Sequence, residues 1–406
     1  MAHIEDRRKV ATKVPYTGTV PWRARYRGPD GRERSQSFAR KVDAERWLRD
    51  QETAKDRGEW VDPMLRRTTF REWSTEWLDG ATHLKPKTRA GYESILAVHV
   101  LPELGAMPIS AIDQSAVRRF VAKVAAKPKD PRRPAAGTLG AGTARNAYNV
   151  VRSVFAVAIG SGAVRVNPCD GVKPPRPDRA EMLFLDALEV ERLADAIVAP
   201  YGTLVRFAAY TGLRAGEVAA LRVGRLDLLR GSVDVREAYS EVHGKLVLGA
   251  TKTYARRSVA LPRFLVDELA AFLVGRDTSP DAHVFTAQDG GPLRHSNFYR
   301  RLFKPAVAAA GLPEGLRFHD LRHTCAALLI AQGAHPRALM ERLGHSSVTV
   351  SLDRYGHLLP SLDETLTAGL EDTYRAALGG AGAASPRPEP RGLVVEMPRS
   401  EAVSGL

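Results

Sequence analysis

The C-terminal half of the chain gathers guanidinium, imidazole and phenol groups in a few short segments. Thr211-Gly212-Leu213-Arg214-Ala215-Gly216-Glu217 puts Arg214 in a glycine-flanked turn that opens a helix. His319-Asp320-Leu321-Arg322-His323 sets His319 and Arg322 three residues apart, on one face of a helix. Leu343-Gly344-His345-Ser346 follows, and then Tyr355 within Asp353-Arg354-Tyr355-Gly356-His357. Between the first two, Gly249-Ala250-Thr251-Lys252-Thr253-Tyr254-Ala255-Arg256-Arg257 offers Lys252 in an expected β-turn.

These residue types suit cleavage of a phosphodiester without a metal or cofactor. The pentavalent transition state collects negative charge on two non-bridging oxygens, and planar guanidinium forks match that geometry. Arg214 and Arg322 are two such forks, from distant parts of the chain. A tyrosine of ordinary pKa, about 10, needs a base or nearby cations to lose its proton. His319 is the candidate for that role, and His345 for donating to a non-bridging oxygen. The leaving 5′-oxygen needs a proton, which Lys252 can give; Lys245 and Lys304 are its rivals.

Those side chains need a scaffold and a polyanionic partner. Lys and Arg total 60 against 46 Asp and Glu, a net charge of +14 in 406 residues. An excess of this size favours binding to phosphates through counterion release. At 44% hydrophobic and 26% charged residues the chain reads as globular, and its length calls for two or three domains. No apolar run is long enough to span a bilayer, and the first residues lack a signal-peptide core, so a cytoplasmic location is expected. Cys169 and Cys325 are far apart and read as small buried residues in a reducing compartment.

Residues 1–65 alternate like a small three-stranded sheet. Trp22, Ala24 and Tyr26 share one face and Arg23, Arg25 and Arg27 the other, before a Gly28-Pro29-Asp30-Gly31 turn and a returning strand over 32–38. A helix over 41–57 follows. Such a basic ribbon suits a DNA groove, although a solvated arginine face is the plain alternative. Residues 66–170 read as four helices, with Phe70, Trp73 and Trp77 as a buried stripe. One helix starts at Pro86 and continues to Leu101-Pro102, one runs over 114–126 behind Asp113, and one over 143–159. Lys87, Arg89 and Arg145 are its candidate DNA contacts. A proline-rich linker, 171–180, leads to a mainly helical domain, 181–378, with strands between 232 and 261. A loose tail, 379–406, ends the chain. The fold class is thus α+β and multidomain.

The ordered set of Thr-Gly-Leu-Arg-x-Gly-Glu, a hairpin lysine, His-Asp-Leu-Arg-His, Leu-Gly-His and a tyrosine about ten residues on resembles the signature of the tyrosine recombinases of the phage-integrase type. The resemblance covers 181–378 closely and the remainder in layout. It implies a site-specific recombinase that forms a 3′-phosphotyrosyl link through Tyr355 and exchanges strands by way of a Holliday junction. Arg214, Lys252, His319, Arg322 and His345 would surround the phosphate, with Glu217 supporting the first arginine. It further implies an arm-binding domain at 1–65 and a core-binding domain at 66–170. Double-stranded DNA with core and arm sites is the expected partner, together with a homotetramer on paired sites and an accessory bending or directionality protein. The arm-binding layout leans toward a phage or mobile element.

Three other readings stay open on sequence alone. A type IB topoisomerase uses a similar phosphate-binding set, and a non-catalytic site-specific DNA-binding protein would share the charge. His319 and His323, four apart on a helix, also have the spacing of zinc ligands, although Asp320 stands where a zinc hydrolase would carry glutamate. Residues 361–378 carry Leu362, Leu366, Leu370 and Tyr374 as one apolar stripe.

Overall fold

The structure, a computed structural model, describes residues 2–9, 16–58, 60–129, 137–177, 182–251, 256–356 and 362–379. Most of the expected tail and part of the expected linker therefore lie outside the described residues. The chain forms two compact units. The first comprises Met1–Met182, Glu237–Ala250 and Thr286–Ser296; the second comprises Leu183–Arg236, Thr251–Phe285 and Asn297–Leu406.

The first unit opens with β1 (His3–Asp6), β2 (Trp22–Arg27) and β3 (Glu33–Phe38), an antiparallel sheet in that order. Gly31, at φ +78°, makes the tight return that sets Arg27 opposite Glu33 and Trp22 opposite Phe38. Alternation along β2 buries Ala24 and Tyr26 beneath α1 (Lys41–Asp56). Trp47 of that helix meets the Tyr26 ring edge-on at 5.3 Å and packs on Phe38 at 5.7 Å.

Helices follow: α2 (Pro63–Arg67), α3 (Phe70–Gly80), α4 (Pro86–Ile95), α5 (Leu101–Leu104), α6 (Gln114–Ala126) and α7 (Gly140–Gly160). A capping box between Thr69 and Glu72 starts α3, and the Asp113 carboxylate accepts from Ala116 N at 2.7 Å to start α6. The helix expected to run unbroken to Leu101-Pro102 instead widens into a π turn at Leu96–Val100. Pro102 has no N–H for the carbonyl four residues back and its ring crowds that carbonyl; the wider turn accommodates both. Phe70, Trp73, Val117, Phe120, Val151 and Phe155 form the buried centre, with the Phe70 and Phe155 rings 5.9 Å apart.

The second half of the chain begins with α8 (Ala187–Ala196), α9 (Gly202–Thr211) and α10 (Ala215–Ala219). Five strands come next: β4 (Leu226–Asp227), β5 (Ser232–Val235), β6 (Glu237–Val242), β7 (Lys245–Ala250) and β8 (Arg257–Ala260). Strands β4, β5 and β8 make an antiparallel sheet in the second unit. The β6–β7 hairpin groups with the first unit, where Lys87 Nζ donates to the Glu241 carbonyl at 2.7 Å. Then come α11 (Arg263–Leu273), α12 (His295–Phe298), α13 (Lys304–Ala309), α14 (Asp320–Ala331), α15 (Pro336–Leu343), α16 (Val348–Tyr355) and α17 (Leu362–Gly379). A second π turn, Tyr299–Phe303, again precedes a proline, Pro305, by two residues. Helix α14 is the buried axis of its unit: residues 320–326 are all buried, and Thr324 Oγ1 accepts from Leu185 N at 3.0 Å. Among the described residues no helix is long and apolar enough to cross a membrane.

The cap on α6 gives a direct test of this local logic. Asp113→Ala leaves the Ala116 amide without its partner, and urea unfolding should show a loss of about 1 kcal/mol in the first unit. Asp113→Asn should lose far less, and equal losses from both would show that the cap bond is not the stabilising contact.

Candidate active site

Helix α9 ends at Gly212, whose φ of +67° lies in the left-handed region. A Cβ there would sit 2.6 Å from Leu343 Cδ2 and 3.1 Å from Cys325 Sγ, so conformation and space both require glycine. The reversal delivers Arg214 to the N-terminus of α10. Glu217, one turn on and 2% exposed, folds back to accept from Arg214 N and Arg214 Nη1, each at 2.9 Å. The same carboxylate accepts from Arg257 Nη2 at 2.7 Å and Nη1 at 3.2 Å. Burial alone would raise the Glu217 pKa; the hydrogen bonds and charge of Arg257, then the charge of Arg214, outweigh it and hold the carboxyl below its ordinary range.

Helix α15 ends in a Schellman motif. Gly344 is left-handed at φ +65°, His345 N donates to Met340 O at 3.0 Å and Gly344 N to Glu341 O at 3.3 Å. That geometry turns three successive carbonyls outward. The Arg342 carbonyl accepts from Arg257 Nε at 3.0 Å, the Leu343 carbonyl from Arg322 Nη2 at 2.5 Å, and the Gly344 carbonyl from Arg214 Nη2 at 3.0 Å. Arg322 also donates to Gly212 O at 2.7 Å. It is 2% exposed. Burial, followed by the nearby charge of Arg214, pushes its pKa down to about 9, so it stays charged at neutral pH.

The imidazoles and the phenol complete the cluster. Ser347 caps α16, which carries Ser351 and, one turn later, Tyr355. His345 Nδ1 lies 2.8 Å from Ser351 Oγ, and its Nε2 is buried without a protein partner. The His345 ring stacks beside the Tyr355 ring, 6.2 Å between centroids. Tyr355 is 1% exposed, and its hydroxyl lies 2.8 Å from His323 Nδ1. Burial raises the phenol pKa, while Arg322 and Arg354 pull it back. His319 stands at the N-terminus of α14 with its ring 5.1 Å from that of His323.

The structure therefore brings Arg214, His319, Arg322, His345 and Tyr355 into one unit, while Lys252 lies outside the described residues. The hydrogen-bond partner of the Tyr355 hydroxyl is His323, which the sequence had suggested only as a metal ligand. Its place one helical turn from His319 was the available signal. Arg257 was also missed; strand alternation puts it on the same side as buried Val259. The candidate DNA contacts belong to the first unit and are partly engaged. Arg25 bridges Glu5 and Glu33, and Arg23 Nε bonds Ser35 Oγ. Arg27 is exposed. Arg89 pairs with Asp79 and Glu93, Lys87 is on the Glu241 carbonyl, and Arg145 is half-buried in α7 with Nε unpartnered.

Burial and neighbouring arginines hold His345 down to about 3, and burial with His323 and Arg322 holds His319 down to about 4, both from 6.5; His323 is lowered too. Each binds protons more readily unfolded than folded, so stability is full above pH 6.5 and is lost as pH falls toward the folded values. The unfolding midpoint of this unit should be flat from pH 8 to about 7 and drop steadily toward pH ~4.5, with a shallower drop in His345→Asn. A midpoint constant over that range would contradict the assignment of neutral, buried imidazoles.

Comparison with known proteins identifies the family. Residues 184–361 match the phage integrase family, residues 69–125 its N-terminal SAM-like domain, and residues 21–57 a phage integrase N-terminal domain. A putative prophage phiRv2 integrase of Mycobacterium tuberculosis is 31% identical over 361 residues, which cover 86% of this chain and 91% of that protein. The Tn1549 transposon integrase in complex with circular-intermediate DNA has the same fold at 20% identity and a TM-score of 0.63, over 75% of this chain and 99% of that one. A lambda integrase tetramer bound to a Holliday junction gives a TM-score of 0.52 at 19% identity, over 83% of this chain and 92% of that one. The chain belongs to the phage integrase family of tyrosine recombinases, the site-specific strand-transferases of DNA.

Proposed function

We propose that Tyr355 is the nucleophile of this recombinase and that Arg214, Arg322 and His345 hold the scissile phosphate. The reading rests on one observation: a buried phenol, an unpartnered imidazole Nε2 and the guanidiniums gathered at the end of α15 meet within a single unit. His345 Nδ1 and Ser351 Oγ are 2.8 Å apart, and with Ser351 as the donor of that bond the ring proton is on Nε2, ready for a non-bridging oxygen. The two arginine forks take the same oxygens, and a phosphate supplies the counter-charge that Arg322 lacks in its bonds to carbonyls. His319 is a further imidazole for that phosphate, and Lys252 gives the 5′-oxygen its proton. Attack then leaves a 3′-phosphotyrosyl link and a free 5′-hydroxyl, and strands exchange in sequence through a Holliday junction.

The same proposal extends to the layout. Residues 1–65 would bind arm sites and 66–170 core sites, with Arg23, Arg25, Arg27, Lys87, Arg89 and Arg145 among the contacts. Residues 171–180 are the linker, 181–378 the catalytic domain and 379–406 the tail. Assembly as a homotetramer on paired DNA sites is favoured by α17, where Leu370, Tyr374 and Leu378 are exposed, and by the tetramer seen for lambda integrase. The protein would act in the cytoplasm for a phage or mobile element, with an accessory bending or directionality protein.

The test is Tyr355→Phe. The ring keeps its packing and loses its only nucleophilic oxygen. On a nicked suicide substrate in EDTA the unaltered protein should form a covalent complex, and the Phe variant should bind with unchanged affinity and form none. A covalent complex with the variant would overturn the assignment.

A further inference from the structure

We propose that His323 is a catalytic residue of strand cleavage: its Nδ1 takes the proton of Tyr355 as the tyrosine attacks, and returns it on religation. This rests on the reading of Tyr355 as nucleophile. The Tyr355 hydroxyl and His323 Nδ1 are 2.8 Å apart, with Tyr355 1% and His323 5% exposed. A phenol in such a setting has no bulk water to receive its proton, so the acceptor must be the group it touches. His319, whose role this would replace, reaches that imidazole edge-to-face with rings 5.1 Å apart.

The surroundings suit a proton that moves and comes back. Asp320 favours the protonated imidazole, while Arg354, Arg317 and Arg322 oppose it and the His319 ring packs against it. Burial keeps the resting ring neutral and able to accept. Around the phenol, Arg322, Arg354 and Arg214 favour the phenolate and Cys325 opposes it. In the forward step the Oη–P bond forms as the Oη proton moves to Nδ1, and the P–O5′ bond breaks as O5′ takes a proton from the general acid, the role proposed above for Lys252. In the reverse step the 5′-hydroxyl gives its proton back to that same group as its oxygen attacks phosphorus, the Oη–P bond breaks, and Nδ1–H returns its proton to Oη.

The experiment measures single-turnover cleavage of a suicide substrate by the full chain, with tyrosine or a more acidic fluorotyrosine placed at position 355. His323→Asn keeps a polar atom near the Nδ1 position and removes the base. It should slow cleavage roughly 10²-fold or more at pH 7 with DNA binding retained, since proton transfer by a positioned side chain contributes about 10²–10⁴. Fluorotyrosine should restore at least about tenfold of that loss, because an acidic phenol needs no base. A His323→Asn protein that cleaves within about twofold of the unaltered one, or a folded variant that fluorotyrosine does not rescue, overturns the proposal. Should His323→Asn fail to fold, the pH–rate profile of the otherwise unaltered protein decides. A rising limb unmoved by fluorination belongs to the imidazole and supports the proposal, whereas a limb that shifts down with the phenol overturns it. Absence of any covalent complex in the unaltered protein, or its survival in Tyr355→Phe, removes the nucleophile and this inference together. Normal trapping with an unimpaired His323→Asn removes the inference alone.

Discussion

Three successive carbonyls at the end of α15 each hold a different arginine. Arg342 O takes Arg257, Leu343 O takes Arg322 and Gly344 O takes Arg214, while the buried Glu217 carboxylate binds the first and last of these. A helix C-terminus carries partial negative charge and leaves its last carbonyls without helical partners, so it suits cations. Three positive groups against one carboxylate still leave an excess of positive charge in a protected place. Hydrogen bonds to charged groups, worth about 1.5–3 kcal/mol each, hold the guanidiniums in position against their mutual repulsion. The guanidiniums are thereby fixed before any anion arrives, as the proposed phosphate site requires.

Much else follows from that arrangement. Left-handed Gly212 and Gly344 are needed because their carbonyls must turn toward arginines while neighbouring side chains fill the space a Cβ would occupy. His345 enters the site because it is the residue that closes the Schellman motif on Met340. Ser351 orients His345, and the helix that supplies Ser351 also carries Tyr355. Helix α14 contributes Arg322 to the carbonyls and His323 to the phenol from adjacent positions. One buried helix therefore supplies a group to the arginine cluster and another to the Tyr355 hydroxyl.

The sequence was most legible where a local rule had one outcome. Asp113 fixed the start of α6, and the period of two along Trp22–Arg27 separated the buried face from the arginine face. The turns before Pro102 and Pro305 were not legible as π turns, because a proline reports a missing bond but not how the helix will absorb it. In the site, Arg214, Arg322, His345 and Tyr355 stood out by residue type and motif. Glu217 was read as the support of Arg214, but backbone carbonyls have no signature in sequence, so the α15 carbonyls that hold all three arginines were not legible. His323 and Arg257 lay inside quoted motifs, but only the packed helix and strand reveal which group each faces.

Glu217 and the end of α15 together hold the three guanidiniums in position, and the proposed cleavage depends on that hold. Glu217→Gln keeps the shape of that side chain and removes its charge, and is to be assayed below its own unfolding midpoint. Single-turnover cleavage should fall by about tenfold or more, while affinity for uncleaved DNA changes little, because the loss is in orientation at the phosphate. Cleavage at the unaltered rate by a folded Glu217→Gln protein would contradict the account.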